Sequence, residues 1–194
     1  MPKIFNMNGL EIYPEILSKE SCEKIIAGFK KDTNKQRGKT AVRCSSDKIS
    51  TDIYCSAEND KFSFYTEIIS PALYACCDNI KRDYPFLIDQ CNRWRICSNY
   101  NIQYYSDGEG YYSLHNEHSY TNPYRMMAWM IYLNDAESGT EFPYQNTIVQ
   151  AKQGQAVVWS AEWTHPHKGV TPNIGDKYIV TGWFEYYGLD QRNR

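Results

Sequence analysis

Histidine is confined to two short clusters in the second half of this chain. The sequence has 194 residues and four histidines, which lie in the segments HNEH (115–118) and HPH (165–167). Imidazole is the commonest side-chain ligand for transition metals. The distribution therefore indicates that the two clusters carry metal chemistry.

The spacing within the first cluster favours a metal site. Side chains alternate between faces in an extended segment, so His115 and Glu117 would point the same way. A later histidine, His165 or His167, would complete a set of two histidines and one carboxylate. Such a set leaves positions open on Fe(II), whereas a structural zinc site uses four protein ligands. A lone His-x-Glu is also frequent on solvated surfaces, so the pattern alone leaves both interpretations open.

Composition narrows the class of protein. The net charge of -2 gives no reason to expect binding to nucleic acid or to an anionic membrane. The cysteine count of 7 is odd and no CxxC pair occurs, which favours free thiols in the cytoplasm over a zinc ribbon or a disulfide framework. Residues 1–17 lack the basic start and apolar run of a signal peptide, and no apolar run approaches the roughly 20 residues that cross a bilayer.

Two helices are predicted before the strands that would carry the histidines. The first has apolar residues at i, i+3, i+4 and i+7 from position 22, and it should end near Lys31. Ser18 or Ser21 can cap its N-terminus. The second covers roughly residues 62–83, and Pro71 either kinks it or marks the start of a new helix.

The polar segment 32–60 between these helices has little periodicity. We predict two short strands in it, at 40–44 and 53–55. A long loop within a compact domain is often a lid or a substrate-binding segment, but a plain surface insertion is an equal alternative. We assign Arg43, within this segment, to substrate binding.

From about residue 93 the pattern changes to short strands separated by Gly, Pro, Asn and Asp. The predicted strands are 94–98, 102–105, 126–133, 147–150, 156–160, 164–169 and 178–186. Helices followed by a run of strands predict a mainly β fold with N-terminal helices packed on one side. We expect one domain over residues 1–194, with a helical part at roughly 15–90 and a barrel at roughly 91–187.

The sequence after the second cluster resembles the prolyl 4-hydroxylase-like branch of the Fe(II)/2-oxoglutarate-dependent dioxygenases. His167 is followed by Gly169, by Gly175-Asp176-Lys177 and by Trp183, in the register of that family's metal-binding His, its Gly, its Gly-x-Lys and its Trp. Segments similar to the family also precede it: YSDGEGYYSLH (105–115), RMMAWMIYLN (125–134) and GTEF (139–142). The likeness is strong from 104 to 184 and weak from 32 to 93.

The resemblance implies a fold and a ligand set. The fold would be a double-stranded β-helix, a jelly-roll barrel of the cupin type. His115, Glu117 and His167 would bind Fe(II), and Lys177 would pair with the distal carboxylate of 2-oxoglutarate. Tyr105 and Thr140 would also contact this co-substrate.

The resemblance also implies an activity. The chain would use dioxygen to hydroxylate a peptide or protein side chain, proline first, with succinate and carbon dioxide as co-products and ascorbate as the reductant. Trp159 and His165 are candidate substrate contacts. His118, one residue past Glu117, should point away from the metal if the segment is extended.

Two departures from the family pattern leave alternatives open. Glu117 stands where the family usually has Asp, and Ala128 stands where it usually has Thr. The alternatives are a non-catalytic cupin-like metal-binding module, an oxygenase that acts on a small molecule or a non-proline residue, and a zinc hydrolase. A lysine at position 177 argues against the module, because a barrel without activity has no need of a co-substrate cation.

Overall fold

A computed structural model describes residues 5–7, 9–39, 47–89, 93–171 and 175–187. Its helices are α1 (Lys19–Lys31), α2 (Ser63–Asp83) and the short α3 (Phe86–Asp89), with single 3-10 turns at Asp60–Phe62 and Pro143–Gln145. None of the helices in these ranges is long and apolar enough to span a membrane.

The first two helices follow the predicted pattern. The backbone N–H of Ser21 donates to the Ser18 hydroxyl at 3.2 Å, so Ser18 is the cap of α1. Helix α2 continues through Pro71, which excludes the alternative of a new helix that begins there. The Ser70 hydroxyl donates back to the Thr66 carbonyl at 2.6 Å within the same helix.

The described strands form two antiparallel sheets. Their bounds are β1 (Phe5–Met7), β2 (Leu10–Tyr13), β3 (Gln36–Arg37), β4 (Thr51–Ser56), β5 (Trp94–Tyr105), β6 (Arg125–Tyr132), β7 (Gly139–Phe142), β8 (Thr147–Gln150), β9 (Ala156–Ser160), β10 (Lys168–Val170) and β11 (Lys177–Tyr186). The larger sheet has the order β1-β2-β9-β6-β11-β5-β4-β3, and the smaller has the order β10-β7-β8.

Several strand predictions need correction. The predicted strands 94–98 and 102–105 are one continuous strand, β5. Strand β10 begins at Lys168 and not at 164, because residues 161–165 form a turn. Strand β7 was not predicted, since its four residues contain a glycine and show no clear alternation. The predicted strand 40–44, with Arg43, lies outside the described residues.

Two hydrophobic clusters lie on opposite faces of the larger sheet. On one face α1 and α2 bury Cys22, Ile25 and Ile69 against the sheet. On the other face Met130 packs in a cluster with Phe142 of the smaller sheet. The expected jelly-roll architecture is therefore confirmed, and within the described ranges its two facing sheets do not join into one closed barrel.

Strand alternation decides which side chains face the space between the sheets. Along β11, Val180 packs toward the helices, whereas Lys177, Ile179 and Trp183 line a cavity between the sheets. Lys177 and Trp183 are six residues apart, an even spacing, so a strand places both on one face. The side chains of Lys177 and Trp183 can therefore take part in the same site.

Candidate metal centre and co-substrate cavity

A backbone bridge brings the two histidine clusters together. His115 N–H donates to the His167 carbonyl at 3.0 Å, and His167 N–H donates to the His115 carbonyl at 2.8 Å. The rest of the segment 111–118 is irregular, with a bend at Glu117. The two histidines are thus held as neighbours even though 52 residues separate them in the sequence.

Three side chains converge at this bridge. His115, Glu117 and His167 each offer one ligand atom, and these atoms lie within 4.8 Å of one another. The Glu117 Oε1 atom lies 3.7 Å from His115 Nε2 and 3.5 Å from His167 Nε2. Two imidazole nitrogens and one carboxylate oxygen are the donor set of a facial triad, which suits Fe(II).

The hydrogen bonds of both imidazoles leave the Nε2 atoms available. His115 Nδ1 lies 2.9 Å from the Ser113 carbonyl, and His167 Nδ1 lies 3.0 Å from the His165 carbonyl. A carbonyl only accepts, so each Nδ1 carries the proton and each Nε2 presents a lone pair. Hydrogen bonds of this kind, from the nitrogen that faces away from the metal, orient histidine ligands in metal sites.

Electrostatics keep the donors in their ligating forms. Burial and the neighbouring His167 lower the pKa of His115 to about 4, so the ring is neutral near pH 7. Burial alone would raise the pKa of Glu117. Interactions with His167, His115 and the Arg125 guanidinium outweigh burial, so the pKa of Glu117 is held well below its usual range.

The second oxygen of Glu117 is fixed by two donors. Arg125 donates to Oε2 at 3.1 Å through Nη1, and Trp183 donates to it at 2.9 Å through Nε1. The Arg125 guanidinium also lies over the Trp183 ring, 3.5 Å from its centroid. Trp183 was predicted only as a residue in the family register, since no local pattern in the sequence connects it to Glu117.

Aromatic rings pack against both histidines. Tyr111 stacks on His115 with ring centroids 3.7 Å apart and an interplanar angle of 12°. The centroid of the His167 ring lies 4.8 Å from that of the Trp159 ring and 5.5 Å from that of the Phe142 ring. These contacts restrict the imidazole orientations and keep water from one side of the site.

Lys177 lies deeper in the same cavity. Its side chain is buried, with Nζ donating to the Ser138 hydroxyl at 3.0 Å and to the Val170 carbonyl at 3.1 Å. No carboxylate of the described residues pairs with it, and burial lowers its pKa to about 8. A buried cation without a counter-ion is unfavourable unless a ligand supplies the negative charge. The arrangement is therefore suited to bind an anion.

Tyr105 and Thr140 both reach the cavity. Lys177 Nζ lies 4.9 Å from the centroid of the Tyr105 ring, and the Tyr105 hydroxyl donates to Gln103 Oε1 at 3.1 Å. Burial raises the pKa of Tyr105 well above its ordinary value, so the phenol stays protonated. The Thr140 hydroxyl is 2.8 Å from that of Tyr132. Tyr105 thus lies near Lys177, and Thr140 lines the same cavity. The hydroxyls of both residues already have hydrogen-bond partners within the protein.

The predicted substrate contacts have different positions. Trp159 lines the cavity. His165 is buried and is not among the lining residues; its Nδ1 lies 2.9 Å from the Thr164 hydroxyl, and its ring abuts Gly9. It therefore does not reach the substrate entrance. Arg43 lies outside the described residues.

The cavity that joins these groups has a volume of about 660 Å³. It is lined by the triad, by Lys177 and by polar side chains of several strands, including Asn101, Gln103, Thr140 and Thr181. Ligand pockets of a few hundred Å³ and more accommodate molecules of drug size. The space therefore exceeds what a five-carbon dicarboxylate requires and leaves room for a second ligand.

A comparison of the sequence with family models gives a match in the region that contains the candidate site. Residues 100–185 match the 2OG-Fe(II) oxygenase superfamily. The matched stretch contains the triad and Lys177. The resemblance found in the sequence is confirmed, and with it the expected class, a 2-oxoglutarate-dependent dioxygenase, whose family cofactors are Fe(II) and 2-oxoglutarate. No curated protein sequence matches the chain.

Three of the solved structures similar to this fold are prolyl hydroxylases. The viral collagen prolyl hydroxylase of Paramecium bursaria Chlorella virus-1 is 19% identical, with a TM-score of 0.62 over 93% of this chain and 97% of that one. A prolyl-4-hydroxylase of Pseudomonas putida is 13% identical, with a TM-score of 0.66 over 93% and 94%. A prolyl hydroxylase of Trichoplax adhaerens, in complex with a hypoxia inducible factor peptide fragment, is 18% identical, with a TM-score of 0.66 over 93% and 85%.

Proposed function

We propose that this chain hydroxylates a peptide or protein side chain, with proline as the most favoured target, because residues 100–185 match the 2OG-Fe(II) oxygenase superfamily. The observation that carries the proposal is the pairing of two features in one cavity. A triad of ligand atoms lies within 4.8 Å, and the buried Lys177 lies in the same space with no carboxylate partner among the described residues.

The residues present fit Fe(II). His115 and His167 offer Nε2 lone pairs because their Nδ1 atoms are engaged by carbonyls. Glu117 offers Oε1 because its Oε2 is engaged by Trp183 and Arg125. Three protein donors leave coordination positions for a co-substrate, in contrast to a closed structural zinc site.

The protein's own groups have defined tasks in this reaction. When bound, Fe(II) and 2-oxoglutarate supply the oxidation with dioxygen and yield succinate, carbon dioxide and a hydroxylated substrate. Lys177 binds the distal carboxylate and thereby sets the orientation of the co-substrate. Tyr105 forms the wall beside it, and Trp159 excludes water from the histidine side.

A peptide target is supported by the open part of the cavity and by the similar structures. The co-substrate end near Lys177 is buried, whereas residues at the other end, such as Leu114 and Tyr120, are exposed. A side chain carried on a peptide can enter from that end while the main chain stays outside. Several solved structures with the same fold are prolyl hydroxylases, and one of them holds a peptide.

The test is formation of succinate from 2-oxoglutarate with Fe(II), ascorbate as the reductant, and dioxygen. Proline-containing peptides in the same reaction should gain one oxygen atom by mass spectrometry. Lys177→Met should form much less succinate at low 2-oxoglutarate concentration because its KM is raised, and Lys152→Met is the exposed-lysine comparison. Folded protein that yields no succinate, with or without peptides, would overturn the oxygenase proposal.

A second measurement separates the oxygenase from a non-catalytic metal-binding module or a zinc hydrolase. Anaerobic addition of Fe(II) and then 2-oxoglutarate should produce a weak visible absorption band, because both ligands meet at one site. A module would bind the metal without that band. A hydrolase would turn over with zinc in the absence of dioxygen.

A further inference from the structure

His118 and Glu162 form a hydrogen-bonded pair at the open end of the cavity. His118 Nδ1 lies 2.6 Å from Glu162 Oε1, and the His118 side chain is 34% exposed. His118 lines the same cavity as the metal triad. The proposed chemistry assigns no task to this pair.

The local backbone explains why His118 faces the cavity, contrary to the sequence-based expectation. The N–H groups of Glu117 and His118 both donate to the Ala161 carbonyl, at 3.1 and 2.8 Å. Two consecutive N–H groups that share one acceptor are incompatible with an extended strand, in which they point in opposite directions. Alternation fails here, so adjacent residues 117 and 118 both reach the cavity.

The free nitrogen of His118 has a defined hydrogen-bonding role. A carboxylate accepts, so the pair with Glu162 places the proton of the neutral ring on Nδ1 and makes Nε2 an acceptor. Nε2 makes no hydrogen bond with any residue in the described ranges. The ring is therefore oriented in advance and presents one unused acceptor beside the metal site.

We propose that His118 Nε2 accepts a hydrogen bond from a backbone amide of a peptide substrate. The inference rests on the proposed function and deepens it by specifying how the main chain is held. Proline has no N–H, so the donor must belong to a residue that flanks the target proline. Glu162 acts through His118 as a positioning residue, because it fixes the ring.

The surroundings of His118 suit an extended peptide. Leu114 and Tyr120 line the cavity at this end, and Tyr120 is 88% exposed. Exposed aromatic and apolar side chains next to a directional acceptor are the usual elements of peptide recognition, with ring contacts for proline and hydrogen bonds for the main chain.

Two substitutions separate the nitrogen atoms of the ring. His118→Asn retains a donor near the Nδ1 position, toward Glu162, but removes Nε2. His118→Gln places an amide oxygen near the Nε2 position and loses the contact with Glu162. Glu162→Ala releases the ring, and Glu58→Ala is the matched control on an exposed glutamate away from the cavity.

The probe is a panel of acetylated and amidated heptapeptides with one central proline and varied flanks. For the best peptide, each backbone amide is methylated in turn and KM and kcat are measured. In the unmodified enzyme one methylation should raise KM roughly fivefold, the effect expected for one lost hydrogen bond. His118→Asn should raise KM by a similar factor, and the same methylation should then have no further effect. His118→Gln should retain more of the affinity than His118→Asn.

The outcomes distinguish the two proposals. Absence of succinate in the unmodified enzyme would overturn the proposed function itself. Succinate without hydroxylation of any peptide would overturn the assignment to His118 while the oxygenase stands. Additive effects of methylation and of His118→Asn would also overturn it, because groups that share one hydrogen bond cannot be independent. Co(II) affinity, measured for each variant, shows whether the triad is still folded.

Discussion

Trp183 Nε1 donates to Glu117 Oε2 at 2.9 Å, so the indole fixes the oxygen that faces away from the two histidines. The other oxygen, Oε1, faces both imidazole nitrogens. The carboxylate thus has one oxygen for the protein and one for a metal. This division favours binding through a single oxygen and explains how a glutamate, one methylene longer than the family's usual aspartate, can be held in place.

Trp183→Phe should weaken metal binding. Loss of the indole donor leaves Oε2 with Arg125 alone, and removal of an outer partner of a metal ligand typically costs about 10-fold or more in affinity. Anaerobic titration with Co(II), followed by its visible absorption, measures the effect. Trp163→Phe is the control, because Trp163 is 71% exposed. Equal affinities for the two variants would contradict this role of Trp183.

Glu117→Asp should bind metal more weakly than the unmodified chain, even though aspartate is the usual family residue. The shorter side chain withdraws the carboxylate by roughly 1.5 Å, the length of one carbon–carbon bond. It can then keep the contact with Trp183 or the position facing the histidines, but not both. We expect a loss of about tenfold in Co(II) affinity. If Glu117→Asp binds Co(II) as tightly as the unmodified chain or more tightly, the donors Trp183 and Arg125 do not favour glutamate at this position.

The KM for 2-oxoglutarate should increase with pH above about 8. Burial lowers the pKa of Lys177 to about 8 in the free protein, and only the protonated amine pairs with a carboxylate. Below that pH KM should be constant, and above it KM should rise by up to about tenfold per pH unit, as for loss of a single proton. Steady-state assays between about pH 7 and pH 9 measure this dependence.

The matched variant for that test is Lys177→Met. Its KM should be high and independent of pH over the same range, because the titrating cation is absent. Lys152→Met should retain the dependence of the unmodified enzyme, since Lys152 is exposed. A pH profile that survives in Lys177→Met would assign the titration to another group.

Lys48→Met should destabilise the fold. Lys48 Nζ lies 2.6 Å from Asp52 Oδ2, and both side chains are buried, at 4% and 0% exposure. Removing the cation leaves a buried carboxylate without its counter-ion, which typically costs about 3–5 kcal/mol. Urea unfolding measures the free energy. Adding Asp52→Asn to this variant should restore much of the lost free energy of unfolding, because the amide is neutral. A double variant that is no more stable than Lys48→Met would contradict this explanation.

Local patterns predicted helix α1 and strands β8 and β9 well. Helix α1 has the predicted cap and apolar face, and the bounds of β8 and β9 are those expected. These elements depend on neighbours within a few residues, which the sequence displays directly. Strand β7 and the start of β10 were missed or misplaced, because short strands in a jelly roll form through pairing with distant partners.

Residue types and spacing determined which chemistry this chain could support. His115 and Glu117 were predicted from their His-x-Glu spacing, and His167 and Lys177 from the register that they share with Gly169 and Trp183 in the resembled family. The tertiary structure decided how these groups are supported. A backbone bridge joins His115 to His167, Trp183 donates to Glu117, and His118 pairs with Glu162. Each of these contacts joins segments that are distant in sequence. Contacts of that kind depend on how the two sheets pack, and no periodicity along the chain encodes them.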